Sequence, residues 1–186
     1  ASGRGASPNE TISVGLIGTG GRYRAYLGTL TGRKDVRIAA VCDPDAKRLS
    51  AAADAVQSAT SRKPEIYGDF RRVLDDRSID VVFVATPHHW HCPIAIPALL
   101  AGKDVYVEKP ASHVFREGRL LVEAARRQKR IVQHGTQMRS SDVTAKAGEI
   151  LASGVLGRVK MAKAWNVQRH SHRATMPDSD VDILLV

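Results

Sequence analysis

Gly18, Gly20 and Gly21, with Arg22 directly behind them, form a Gly-Thr-Gly-Gly-Arg stretch that follows a short β-branched run. Glycines at this spacing let the chain turn sharply and let a ligand's phosphates approach the backbone closely. The start of the helix expected next offers unpaired N–H groups and partial positive charge. A glycine pair alone is weak evidence, and a second mark strengthens it. Val41-Cys42-Asp43 ends the next apolar run, and Asp43 stands 20 residues after position 23. A carboxylate at that distance is where a dinucleotide site binds the adenosine ribose hydroxyls. Pro44 follows, where an arginine would welcome a 2′-phosphate, so NAD is expected over NADP. The alternative is that Asp43 only caps the helix behind it. The usual third glycine is replaced by Tyr23, which puts close helix–strand packing at that position in question.

Lys109 ends another apolar run, beside Glu108. An ammonium there can stabilise a developing alkoxide, and a lysine of lowered pKa can move a proton. The competing reading is an ordinary surface pair with Glu108. His88, His89 and His91 lie close together in sequence, yet no acid or cysteine stands at a recognised ligand spacing, so no metal is expected. His170 and His172 read as solvated, and Trp90 and Trp165 as packing residues. Cys42 and Cys92 have no CxxC partner and imply no disulfide framework; Cys42 reads as a core thiol.

These residues need elements to hold them, and the pattern alternates strands with helices. Strands are expected at 11–17, 36–42, 79–85, 104–107 and 131–134, and helices at 21–31, 45–58, 70–75, 93–101, 112–128 and 141–153. Asp69 is an expected N-cap and Gly102 an expected C-cap. Residues 61–68 read as a loop, and 158–166 as a strand that begins something new. Such alternation implies an α/β fold: a doubly wound parallel sheet with right-handed crossovers.

Composition bounds the function classes. A chain of 186 residues buries one sizeable core and a fragment of a second. The net charge of +9 is dispersed in small groups and only 5% of the residues are aromatic, so no nucleic-acid partner is expected. No apolar run approaches the roughly eighteen residues needed to span a bilayer. Residues 1–10 (ASGRGASPNE) read as a flexible leader. The initial Ala suits a mature protein after signal cleavage, a trimmed chain or a fragment.

Three further segments stand at expected strand ends: Ala85-Thr86-Pro87-His88-His89-Trp90-His91, Gly102-Lys103-Asp104-Val105-Tyr106-Val107-Glu108-Lys109-Pro110, and Gly135-Thr136-Gln137-Met138-Arg139-Ser140. With the glycine loop they resemble the Gfo/Idh/MocA (glucose–fructose oxidoreductase, inositol dehydrogenase) family from about Ile12 to Asn166. The resemblance implies a Rossmann domain over 11–140, then a linking helix and the start of a truncated α+β substrate domain over 141–186. It implies that Thr86, Pro87, His88 and His91 border the nicotinamide ribose. Glu108 and Lys109 would lie beside the nicotinamide, with Lys109 the catalytic residue between cofactor and substrate. Gln137 would approach from the next strand end, and Pro110 would be cis. It further implies a parent dehydrogenase acting on a sugar, cyclitol or other polyol, homo-oligomeric through its second domain, while this chain alone turns over little or nothing. The alternatives are an NAD-retaining glycosidase of the same family and a non-catalytic dinucleotide-binding module. By analogy with exported members the location is periplasmic or secreted, with the cytoplasm as the alternative.

Overall fold

A computed structural model of the chain describes residues 11–165, which divide into two compact units, one through Gly135 and one from Thr136. The first unit is a six-stranded, all-parallel sheet in the order β3-β2-β1-β4-β5-β6. Its strands are β1 (Ile12–Ile17), β2 (Val36–Cys42), β3 (Glu65–Tyr67), β4 (Val81–Val84), β5 (Asp104–Glu108) and β6 (Val132–Gly135). The helices between them are α1 (Tyr23–Thr31), α2 (Ala46–Thr60), α3 (Phe70–Asp75), α4 (His91–Leu100) and α5 (Phe115–Gln128). This is the doubly wound order in which the chain reverses direction across the sheet between β1 and β4, and ligands bind at the strand C-terminal ends there.

The strand sequences explain the two-sided burial. Val14, Leu16, Val41, Val82, Val84 and Val107 are all within 1% of complete burial, as a sheet covered on both faces requires. One core layer joins Val14, Leu16, Ile38 and Val41 to Tyr23, Tyr26 and Leu30 of α1 and Ala52 and Val56 of α2. The other joins Ile17, Val82, Val84, Val105 and Val107 to Val73 of α3, Ile94, Ala98 and Leu99 of α4 and Leu121 of α5. Gly15 lets α3 come close, since a Cβ there would lie 2.8 Å from the Val73 side chain.

Local chemistry sets the helix ends. Asp45 caps α2 by accepting from the Lys47 and Arg48 amides, and Asp69 caps α3 by accepting from Arg71 N. Cys42 and Cys92 are both buried and free, and burial pushes their thiols up to about 12 and about 11.

Three expectations are corrected. Residues 65–67 form β3 inside the expected 61–68 loop; three residues are too short to show a period, and the segment is fixed by pairing with β2. Helix α4 begins at His91, two residues early, because Pro93 is tolerated in a first helical turn. Residues 158–165 carry no regular structure instead of the expected strand; a strand needs a neighbour, and no described segment pairs with them. Asn166, His170, His172 and residues 1–10 lie outside the described residues. Among the described residues no helix is long and apolar enough to cross a membrane. The second unit contains α6 (Asp142–Ala152), capped by Ser141 accepting from Thr144 N.

At the sheet edge opposite the strand C-terminal ends, Lys103 is buried at 3% exposure and donates to the carbonyls of Asp76 (2.6 Å) and Ile79 (2.9 Å). Burial lowers its pKa, with Asp76, Asp80 and Asp75 opposing the shift. Lys103→Met leaves those two carbonyls without this donor and should cost about 1–3 kcal/mol in urea unfolding. NADH affinity should stay unchanged in the same variant, since the residue lies at the wrong end of the sheet; a stability equal to the parent's would refute its strut role.

Candidate dinucleotide site

The glycine loop leaves β1 and enters α1 at the point where the sheet reverses. Gly18 has φ +88, and a Cβ there would stand 2.8 Å from both the Ala85 carbonyl carbon and the Thr86 nitrogen. The loops after β1 and β4 are therefore in direct backbone contact, and only glycine fits between them. A Cβ on Gly20 or Gly21 would meet nothing within 4 Å, so the outer side of the loop is open. No acidic residue occupies the first turn of α1, and Arg22 at its N-cap uses no side-chain cap. Backbone donors, a helix N-terminus and room beside them are what a diphosphate needs. Tyr23 does not spoil the loop: its side chain turns inward and is buried at 6% exposure in the α1 core layer.

Asp43 is also buried, and its carboxylate holds the loop from the end of β2. Oδ2 accepts from Thr19 N (2.7 Å) and Thr19 Oγ1 (3.0 Å), while Oδ1 accepts from Asp45 N (3.0 Å). The acid thus braces the glycine loop and the β2–α2 turn together. The capping residue of α2 is Asp45, which answers the alternative reading of Asp43 as a simple cap.

After β4, Thr86 and Pro87 lead into a single 3₁₀ turn, His88–Trp90, and then α4. Thr86 Oγ1 is buried with no hydrogen-bond partner among the described residues, a polar atom left for something else to satisfy. His88 and His89 are exposed. His91 is 1% exposed, and its two ring nitrogens lie 2.6 Å from Pro110 O and 2.9 Å from Thr86 O. No group of three His, Cys, Asp or Glu residues suited to a metal occurs among the described residues.

At the end of β5, Glu108 is buried and faces α1. Its carboxylate accepts from Arg22 Nε (2.8 Å), from the Tyr26 hydroxyl and from Lys109 N (3.1 Å). Burial alone would raise the Glu108 pKa, but the Tyr26, Arg22 and Lys109 hydrogen bonds outweigh it and hold the carboxyl below the usual range. Burial and the Glu108 bond push the Tyr26 phenol upward. Phe83 and Tyr106 stack at 4.9 Å, and Tyr26 meets both edge-on at 5.4 Å. A Cβ on Gly135 would lie 2.7 Å from the Tyr106 hydroxyl and 3.2 Å from Glu108 Oε1, so a side chain there would push on this network. Lys109 is exposed and precedes a cis bond to Pro110. Gln137 belongs to the second unit, where it opens the 3₁₀ turn Gln137–Ser140.

The first unit therefore gathers Gly18, Gly20, Gly21, Arg22, Asp43, Thr86, Glu108 and Lys109 at the C-terminal ends of β1, β2, β4 and β5. Thr19, Tyr106 and Gly135 stand inside the motifs quoted from the sequence but were given no role there, and Tyr26 was not singled out. Only Thr19, lying between two loop glycines, had a local signal that would have exposed it.

A sheet of this order with a glycine loop at its reversal defines a dinucleotide-binding Rossmann domain. The profile described as "Oxidoreductase family, NAD-binding Rossmann fold" matches residues 12–136, and the chain belongs to that family, Gfo/Idh/MocA. A glycosyl hydrolase family 109 protein of Saccharopolyspora erythraea is 37% identical over 126 residues, covering 66% of this chain and 28% of the relative. A glycosyl hydrolase family 109 protein 2 of Shewanella sp. strain ANA-3 is 36% identical over 120 residues, or 62% of this chain and 26% of the relative. The chain thus spans little more than a quarter of these relatives' length. Among solved structures, myo-inositol 2-dehydrogenase from Lactobacillus plantarum superposes with a TM-score of 0.72 at 24% identity, covering 80% of this chain and 43% of that one. The WlbA dehydrogenase from Bordetella pertussis, in complex with NADH and UDP-GlcNAcA, gives 0.72 at 23% identity, covering 80% and 44%.

Proposed function

We propose that this chain is the NAD-binding part of an oxidoreductase that moves hydride between a sugar, cyclitol or related polyol hydroxyl and the nicotinamide. The observation that carries the reading is the open glycine loop braced by Asp43 and pressed against the β4 loop. The residues present fit a dinucleotide: Gly20, Gly21 and the α1 N-terminus would receive the diphosphate. Asp43 would reach the adenosine ribose hydroxyls while keeping its hold on Thr19. Thr86 Oγ1 would donate to or accept from the nicotinamide half, with Pro87 and His88 bordering it. When bound, the cofactor supplies the hydride chemistry, and the protein's task is orientation and proton handling. Lys109 would stand beside the reacting carbon and stabilise alkoxide charge on the substrate oxygen. A second domain would complete the substrate site and the oligomer, and the family resemblance gives Gln137, just after the β6 strand end, a cofactor contact.

Titration of the 186-residue chain with NADH and NADPH, read by cofactor fluorescence, tests this. Saturable NADH binding is expected, with NADPH weaker, because a 2′-phosphate would meet the Asp43 carboxylate. Asp43→Ala should weaken NADH by roughly tenfold or more, the size of a lost charged hydrogen bond. Failure of the unmodified chain to bind either nucleotide would sink the reading.

A second reading is a glycosidase that retains and recycles NAD, favoured by the glycosyl hydrolase family 109 relatives at 37% and 36% identity. The parent protein would then release a hydrolysed glycoside with no net NADH, whereas the dehydrogenase accumulates NADH in step with oxidised product.

A further inference from the structure

Two loops of the site leave different strands and must stay in register for the nicotinamide half to be held. One is 85–90 after β4, carrying Thr86; the other is 109–114 after β5, carrying Lys109. Both backbones are gripped by one side chain. His91, in the first turn of α4, places Nδ1 2.6 Å from Pro110 O and Nε2 2.9 Å from Thr86 O. Its neighbour Cys92 adds a weaker bond from Sγ to Ala111 O at 3.3 Å. At 1% exposure the ring is sealed from solvent, and both nitrogens are committed to carbonyls, so it has neither the access nor the spare atom to touch a ligand.

We infer that His91 is a positioning residue: it staples the β4 loop to the β5 loop and so sets the separation of Thr86 from Lys109. This rests on the dinucleotide reading of the site and revises the role the family resemblance gives His91, from bordering the ribose to acting through two backbone carbonyls. Imidazole suits the task because its two nitrogens lie on opposite sides of a rigid ring and, with a proton on each, can donate to two carbonyls at once. An Asn or Gln amide carries its two N–H groups on a single nitrogen and cannot span the same gap. The staple acts on the loops of the nicotinamide half, one of which touches the glycine loop at Gly18. The glycine loop is held separately, by Asp43 on Thr19.

His91→Phe keeps the buried ring and removes both bonds, and His91→Gln keeps polarity and restores at most one. Val56→Ala, a cavity in the opposite core layer, serves as a control for simple destabilisation. Hydrogen–deuterium exchange of the ligand-free chain should show uptake in 85–90 and 109–114 rising roughly tenfold in His91→Phe. The rise should be smaller in His91→Gln, with residues 19–22, held through Asp43, unchanged in both. The Val56→Ala control should leave the two loops as they are at an equal loss of melting temperature. NADH affinity should fall roughly tenfold in His91→Phe while ADP affinity holds, since ADP lacks both the nicotinamide and the ribose that carries it. Unchanged exchange in the two loops would overturn the staple, as would equal loss of NADH and ADP or a matching response in the control. If the unmodified chain bound neither ligand, the dinucleotide reading would fall, while the exchange comparison would still decide whether His91 holds the loops.

Discussion

Gly18→Ala should abolish detectable NADH binding and lower the melting temperature of the chain. Two independent penalties meet at this position. The backbone at φ +88 is one that a side chain strains by about 1–3 kcal/mol. The added methyl would also press on Ala85 and Thr86 backbone atoms at 2.8 Å, and these cannot rotate away as a side chain would. The loops after β1 and β4 must part, and that opens the reversal point where the diphosphate and the nicotinamide ribose meet the protein. Gly20→Ala and Gly21→Ala are informative companions, because their Cβ atoms enter empty space and should spare stability while obstructing the ligand. Calorimetric melts paired with NADH titrations check the set. A Gly18→Ala chain that melts and binds like the parent would show that the two loops are not in the contact described.

The second large effect is expected at Glu108. Glu108→Ala removes the carboxylate acceptor from Arg22 Nε, the Tyr26 hydroxyl and Lys109 N, within a network that is buried except at Arg22. A loss of about 2–3 kcal/mol in denaturant unfolding is expected. The pH dependence gives a sharper signature. Because the folded carboxyl is held below its usual pKa, its stabilisation is fully present above the unfolded value of about 4.3. It is lost as pH falls through the lower, folded value. The stability gap between the parent and Glu108→Gln should therefore stay level from neutral pH down to about 5 and close below about 4. A gap that is flat down to the acid limit would mean the carboxylate charge does not matter to the network.

How much of this could be read from the chain differs from residue to residue. Val36–Cys42 and Phe70–Asp75 were legible to their ends, because a β-branched run and an aspartate cap are local signals. Gly18 and Asp43 were legible as a pair, their spacing being fixed by one strand and one helix. That Asp43 clamps Thr19 was not, since nothing in the spacing says which of several donors an acid will choose. The Tyr26–Glu108 bond joins residues 82 apart, and no local pattern encodes it. β3 was missed because its extended shape comes from pairing with β2 and not from its own three residues. Residues 158–165 failed in the opposite sense: their alternation was real, but a strand exists only beside a partner.

The Asp43 clamp also bears on how readily such a domain could change its diet. Accepting a 2′-phosphate would ordinarily call for exchanging the β2-end acid for a small or basic residue. Here the same carboxylate fastens the phosphate loop through Thr19 and the next turn through Asp45. A lineage that replaced it would gain room for the phosphate and in the same step loosen the loop that must bind it. Cofactor choice and loop integrity are thus inherited together, and a switch of preference has to pass through a compensating change near Thr19 first.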